Sequence, residues 1–233
     1  MIMIGQRRLW TVVAIVALGC GGEAIEEEAG APAAAAEDPD IAPAGEPTAL
    51  PAGYALRLDS DGATPSDFRV TPEDGGVHVR TGPAGILFNA ADAVPTGDYS
   101  VSATFTELEA PPNHREAFGL IIGGSDLEGP QQQYTYFLVR ADGRYLIKKR
   151  MAGETSDVSD GWVESEAVQA ATEGGEVSNA LEVRVAGDQV HFSINGQEVA
   201  TMSAAEVDTH GIAGVRINHN LNVRVSGFAV NRM

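Results

Sequence analysis

The sequence predicts an all-β domain, a two-sheet antiparallel sandwich of jelly-roll type, and three observations lead there. From Tyr54 onward apolar residues recur with a period of two rather than 3.6, the signal of half-buried strands. Turn-forming residues cut that pattern into about a dozen short runs. No stretch has a helical period long enough to build a helix of ordinary length, so the apolar faces of the strands must be buried against another sheet.

The chain divides into three parts. Residues 1–19 read as an export signal: Arg7 and Arg8 form a positive start, Leu9 to Leu18 an uncharged apolar run, and Ala17-Leu18-Gly19 a small-residue approach to cleavage. Ten apolar residues are too few to span a bilayer, which takes about 20. Cys20, the single cysteine, follows at once, and the segment resembles the lipobox of bacterial lipoproteins, in which cleavage leaves cysteine first and its thiol is lipidated. The resemblance implies lipidation of Cys20, a membrane partner through the acyl chains, and a cell-envelope location, periplasmic or at the surface. With Gly21 rather than aspartate next, it implies the outer membrane rather than the inner. A lone cysteine has no partner for an internal disulfide, which fits this use.

Residues 20–52 are read as a disordered acidic tether. From residue 23 it carries eight acidic side chains and no basic ones, with large apolar groups only at Ile25, Ile41 and Leu50. So little apolar surface cannot offset the entropy of ordering the chain. Pro32, Pro39, Pro43, Pro47 and Pro51, together with like-charge repulsion, keep such a segment extended.

Residues 53–233 make one β-sandwich domain with a sizeable core. The whole chain has a net charge of −18, and the domain alone holds 13 basic against 25 acidic residues, a net of −12. That balance excludes nucleic acid as a partner, because phosphates require a basic footprint. Ser100 to Thr106, Leu181 to Val185 and Val190 to Ile194 alternate without a fault. Gly187-Asp188 and Asn195-Gly196 are the turns of successive hairpins. Ser203 to Val207 is expected to form one helical turn.

The hairpin from Gln133 to Arg150 admits a fuller solution, because its turn decides which side chains share a face. A two-residue turn would set Phe137 against Lys148; a three-residue turn Ala141-Asp142-Gly143, with Gly143 left-handed, pairs Val139 with Tyr145 and Phe137 with Ile147. The second register separates the faces, and it is the one expected. Phe137, Val139, Tyr145 and Ile147 then face the core. Tyr134, Tyr136, Arg140, Arg144, Lys148 and Arg150 share the opposite face, with Leu138 and Leu146 between them. Five of the domain's 13 cations lie in Arg140 to Arg150. Tyrosines among them would make a flat hydrogen-bonding platform suited to a sugar ring, so a carbohydrate ligand is expected there.

The runs Phe118 to Gly124, Tyr134 to Tyr145, Trp162 and Asn179 to Val183 resemble the concanavalin A-like jelly roll of laminin-G type. Ile194-Asn195-Gly196, Gly211 to Arg216 and Val223 to Val230 are similar to the last strands of the 3-keto-disaccharide hydrolase domain family. The resemblance covers nearly all of residues 54–233. It implies glycan recognition, with Arg216 and Asn218 added to Tyr134, Tyr136, Arg140, Lys148 and Arg150 as contacts.

It also implies a competing activity, hydrolysis of 3-keto-disaccharides or related glycosides, for which His114, Glu116 and His219 are the candidate catalytic groups. A protein-interaction module without a small ligand is the third class. Non-catalytic binding is the reading adopted, because no nucleophile elbow, zinc-binding His-Glu-x-x-His pair or phosphate loop occurs. Glu107 and Glu109, at the end of one strand, are expected to be solvated. No cofactor motif appears. Asp59-Ser60-Asp61-Gly62 falls short of a full calcium loop, yet laminin-G-like domains often bind calcium, which makes Asp59 and Asp61 its candidates.

Overall fold

The structure, a computed structural model, describes residues 50–94, 96–110, 115–171 and 175–233. The export signal, Cys20, the tether up to residue 49 and His114 lie outside the described residues. Fifteen strands form: β1 (Tyr54–Leu58), β2 (Phe68–Glu73), β3 (Gly76–Thr81), β4 (Gly85–Val94), β5 (Tyr99–Glu107), β6 (Ala117–Ser125), β7 (Gln133–Arg140) and β8 (Arg144–Met151) come first. β9 (Glu154–Asp157), β10 (Val163–Glu164), β11 (Val177–Ala186), β12 (Gln189–Ile194), β13 (Gln197–Ser203), β14 (Gly211–Ile217) and β15 (Asn222–Arg232) complete the set. A single 3-10 turn at Pro65–Asp67 is the only helical element among the described residues.

The strands build two antiparallel sheets. One runs β1, β4, β14, β6, β7, β8, β10, with β9 also paired to β8; the other runs β13, β12, β11, β5, β15, β3, β2. Alternation places one face of each sheet inward. Phe105 and Phe192 of the second sheet meet Phe118 and Phe137 of the first, with ring centroids 5.6 Å apart for Phe105 and Phe118 and 5.2 Å for Phe137 and Phe192. All four rings are buried, and such contacts add roughly 0.5–1.5 kcal/mol each beyond area burial.

The expected alternations hold in β5, β11 and β12, and the expected turns form. Asn195 and Gly196 both have positive φ, 51° and 80°, the geometry that lets a two-residue turn follow the strand twist between Ile194 and Gln197. Two expectations differ in detail. Ser203 to Val207 is a hydrogen-bonded turn rather than a helical one, tied by Glu206 N to Ser203 O and by Ser203 N to the Glu206 carboxylate. Glu107 is buried, not solvated, because it has the same parity as Phe105 and Ala103 and so points between the sheets.

The hairpin β7–β8 has the register the face-sorting argument requires: Val139 opposite Tyr145, Phe137 opposite Ile147, Tyr136 opposite Lys148 and Tyr134 opposite Arg150. Gly143 takes φ +86°, and its amide donates to Arg140 O, closing the three-residue turn. Phe137, Val139, Tyr145 and Ile147 join the core between the sheets.

Candidate functional site

The outer face of the first sheet is where the sequence-predicted residues gather. It carries its own apolar cluster: Ile86 and Phe88 of β4, Ala117 and Ile121 of β6, Tyr134, Tyr136 and Leu138 of β7, and Leu127 from the β6–β7 loop. Side chains from distant strands meet over this floor. Asp59 continues β1, its amide donating to Ala84 O, and it lies five strand positions from β8. A flat sheet would separate them by about 24 Å. Its carboxylate nevertheless accepts from Arg150 Nη2 of β8 at 3.1 Å and from Arg216 Nη2 of β14 at 2.6 Å. The sheet is therefore rolled, and this face is the hollow of the roll.

The hollow alters the role of the tyrosines. Tyr134 and Tyr136 are on the expected face, but they are 0% and 5% exposed, so they form no open platform. The reason is curvature: neighbouring strands converge above them. Arg216 lies over the Tyr136 ring at 5.3 Å and donates to Tyr134 Oη at 3.2 Å. Opposite Arg216 on β6 is Gly119, where an added Cβ would collide with the backbone carbonyl of Phe137 on β7. Burial pushes both phenols above their ordinary pKa, so each remains a neutral hydrogen-bonding group.

Asp59 is subject to opposed effects. Burial alone would raise its pKa, but the charge and hydrogen bond of Arg216 and the charge of Arg150 outweigh it and hold the carboxyl below the usual aspartate value. Both guanidinium groups use the same oxygen, Oδ2; the buried Oδ1 has no hydrogen-bond partner, nor have the buried Nε atoms of Arg57, Arg150 and Arg216. Asp59 is thus taken up by two cations, and a calcium ion there would compete with them. Asp61 is exposed, and among the described residues no three His, Cys, Asp or Glu side chains come together as a metal cage.

Arg140 is also withdrawn from the open contact position expected of it. It is buried, paired with Asp142 and stacked over the half-buried Trp162 at 4.2 Å. Lys148 pairs with Asp157 of β9 at 3.0 Å and stays a quarter exposed, as the charged rim of the hollow. Asn218 and His219 lie in the turn after β14. Thr81 Oγ1 donates to Asn218 O, Leu221 N donates to Thr81 Oγ1, and Asn218 N donates to Ala117 O, so the turn is tied to both sheets. His219 N donates to Glu116 Oε2 at 3.4 Å, which brings those two candidate groups together.

Arg57 escaped the sequence reading, and Asp59 was read there only as a calcium candidate. Arg57 donates to the carbonyl oxygens of Gly129 at 2.7 Å and Leu127 at 3.3 Å, holding the β6–β7 loop over the hollow. Asp59 is the acid on which Arg150 and Arg216 converge. Leu56 and Leu58 face the core, so alternation alone puts Ala55, Arg57 and Asp59 outward together, a signal that was present in the sequence. The separate cleft between the sheets, about 250 Å³ and lined by Tyr54, Val77, Leu87, Val215 and Phe228 among others, holds none of the predicted site residues.

No family model matches the chain, and no curated protein matches it. Solved structures do. A carbohydrate-binding module, CBM66 of Bacillus subtilis, is 12% identical with a TM-score of 0.54, covering 77% of this chain and 95% of the module. The potassium-bound carbohydrate recognition domain of Emp46p is 9% identical with a TM-score of 0.54 over 77% of this chain and 88% of its own. An alginate lyase, A1-II′, is 13% identical with a TM-score of 0.52 over 78% of this chain and 95% of its own. At such identities the likeness shows the fold alone, and that fold is the concanavalin A-like jelly roll.

Proposed function

We propose that this protein is a carbohydrate-binding module of the cell envelope, held to the membrane by lipid on Cys20, with the glycan lying in the hollow of the first sheet. The observation that carries the reading is the floor of that hollow. The Tyr134, Tyr136, Arg216 and Asp59 groups are locked by one another before any ligand arrives, while Trp162, Lys148 and Arg150 reach the surface beside them. A pre-formed concave face with a few convergent polar groups and an aromatic edge is what sugar recognition needs, because little ordering entropy remains to be lost on binding. The neighbours of this fold include a carbohydrate-binding module and a carbohydrate recognition domain, which supports the same reading.

Glycan-array binding by the purified protein tests it. Lys148→Ala and Trp162→Ala are each expected to weaken binding by about tenfold, the size of one lost aromatic or charged contact. A glycan bound equally well by both variants would place the site elsewhere.

A second reading, hydrolysis of 3-keto-disaccharides, is favoured by one observation. Glu116 Oε2 accepts from the His219 backbone amide at 3.4 Å, which sets two of the candidate groups beside each other at the turn after β14. Turnover of a 3-keto-glucoside that disappears in His219→Ala while binding persists would establish it.

A further inference from the structure

Resting on the reading that the hollow binds glycan, we infer that its ligand is an anionic one, a polysaccharide whose sugars carry carboxylate groups. The inference follows from how cations are partnered inside the hollow. Arg150 and Arg216 share one oxygen of one carboxylate, Asp59 Oδ2. Arg57, a third guanidinium on the same face, bonds among the described residues only to the backbone carbonyls of Leu127 and Gly129. Three permanent positive charges thus face a single buried acid, and the other oxygen of that acid has no partner. The remaining ion pairs of the face are matched one to one, Lys148 with Asp157, Arg140 with Asp142 and Arg144 with Glu164, so they leave the excess uncancelled.

Burying cations without an equal number of anions is costly, and a site that does so is arranged for a charge supplied from outside. Arginine rather than lysine holds that excess, and a planar guanidinium matches a planar carboxylate with two parallel hydrogen bonds. Arg216 is buried while Arg57 and Arg150 are half-buried, and Arg150, its side chain 15% exposed beside the Lys148 rim, is the group placed to meet an incoming carboxylate. The protein around the site is acidic, with a net charge of −18, so general electrostatic attraction works against a polyanion. Binding of one would have to come from this local reversal of sign.

Isothermal titration of the purified protein with polygalacturonate, and with the same polymer fully methyl-esterified, separates the alternatives without any mutation. Binding of the acid form that weakens as salt is raised, and that drops by about tenfold or more on esterification, is the expected result. Arg150→Gln should reproduce the drop. Arg150→Lys, which keeps the charge and disturbs the fold less, should recover part of the affinity and not all of it, because the two-pronged geometry is lost. Arg224→Gln, on the other sheet, should bind as the wild type does.

Equal affinity for the ester and the acid would overturn the inference and leave glycan binding intact. Preference for a sulfated glycan over every polyuronate tried would overturn the carboxylate assignment. Binding to no polysaccharide in the glycan array or in this titration would count against the glycan reading itself.

Discussion

Asp59 concentrates the energetics of the hollow in one side chain. With Arg216 and Arg150 both on Oδ2, replacing it by asparagine keeps the volume and leaves two partly buried guanidinium groups without their acid. Breaking a buried pair by removing one partner costs about 3–5 kcal/mol, and Asp59→Asn should lose an amount in that range by urea unfolding at neutral pH. The pH dependence has a definite sign. The folded carboxyl titrates below its usual value, so as pH falls the unfolded chain takes up the proton first. The stabilisation is therefore complete above the usual aspartate range and drains away as pH falls through the lower folded value. The gap in stability between wild type and Asp59→Asn should narrow below about pH 4. A gap that stays constant down to strong acid would mean that Asp59 contributes through its shape and not its charge.

The β7–β8 hairpin explains which features could be read from sequence and which could not. Its register was legible because it is a local matter: only one turn length puts Phe137 and Ile147 on one face and the cations on the other. The turn itself is open to test. A Cβ added at Gly143 would come no nearer than 3.9 Å to the methyl of Ala170, so space is no obstacle, but φ +86° strains any L side chain. Gly143→Ala should cost about 1–2 kcal/mol in unfolding experiments while cross-strand contacts between Phe137 and Ile147 persist. What was not legible is that the second face is also buried. Its cover comes from β1, β14 and the loop holding Leu127, distant in sequence and brought near by the roll of the sheet. Leu138 and Leu146, apolar on a face read as an open platform, were the one local sign of it, and both are buried. The same distance hides the ligand-facing arrangement, because Asp59 and Arg150 are 91 positions apart and no periodicity connects them.

Charge and anchoring belong to the chain taken end to end. The tether from residue 23 to 52 is purely acidic among its charged groups, and the domain that follows has a net charge of −12. Such a chain is repelled by anionic lipid heads and has no electrostatic means of staying at a membrane. Among the described residues no helix is long and apolar enough to cross one. We propose that lipid on Cys20, the one thiol of the chain, is what attaches the domain to the envelope. Diacylglycerol on the thiol together with an amide-linked acyl chain, as the resemblance to lipoproteins implies, would at about 0.8 kcal/mol per buried methylene exceed what stable anchoring needs, whereas a single chain binds only marginally. Cells given labelled palmitate should therefore incorporate label into the wild-type protein and none into Cys20→Ser, and detergent-phase partitioning should move the variant to the aqueous phase. The two readouts discriminate further. Label without detergent partitioning would mean a modification too weak to anchor, and an unlabelled protein that still partitions would mean that the uncleaved apolar run at Leu9 to Leu18 is the anchor.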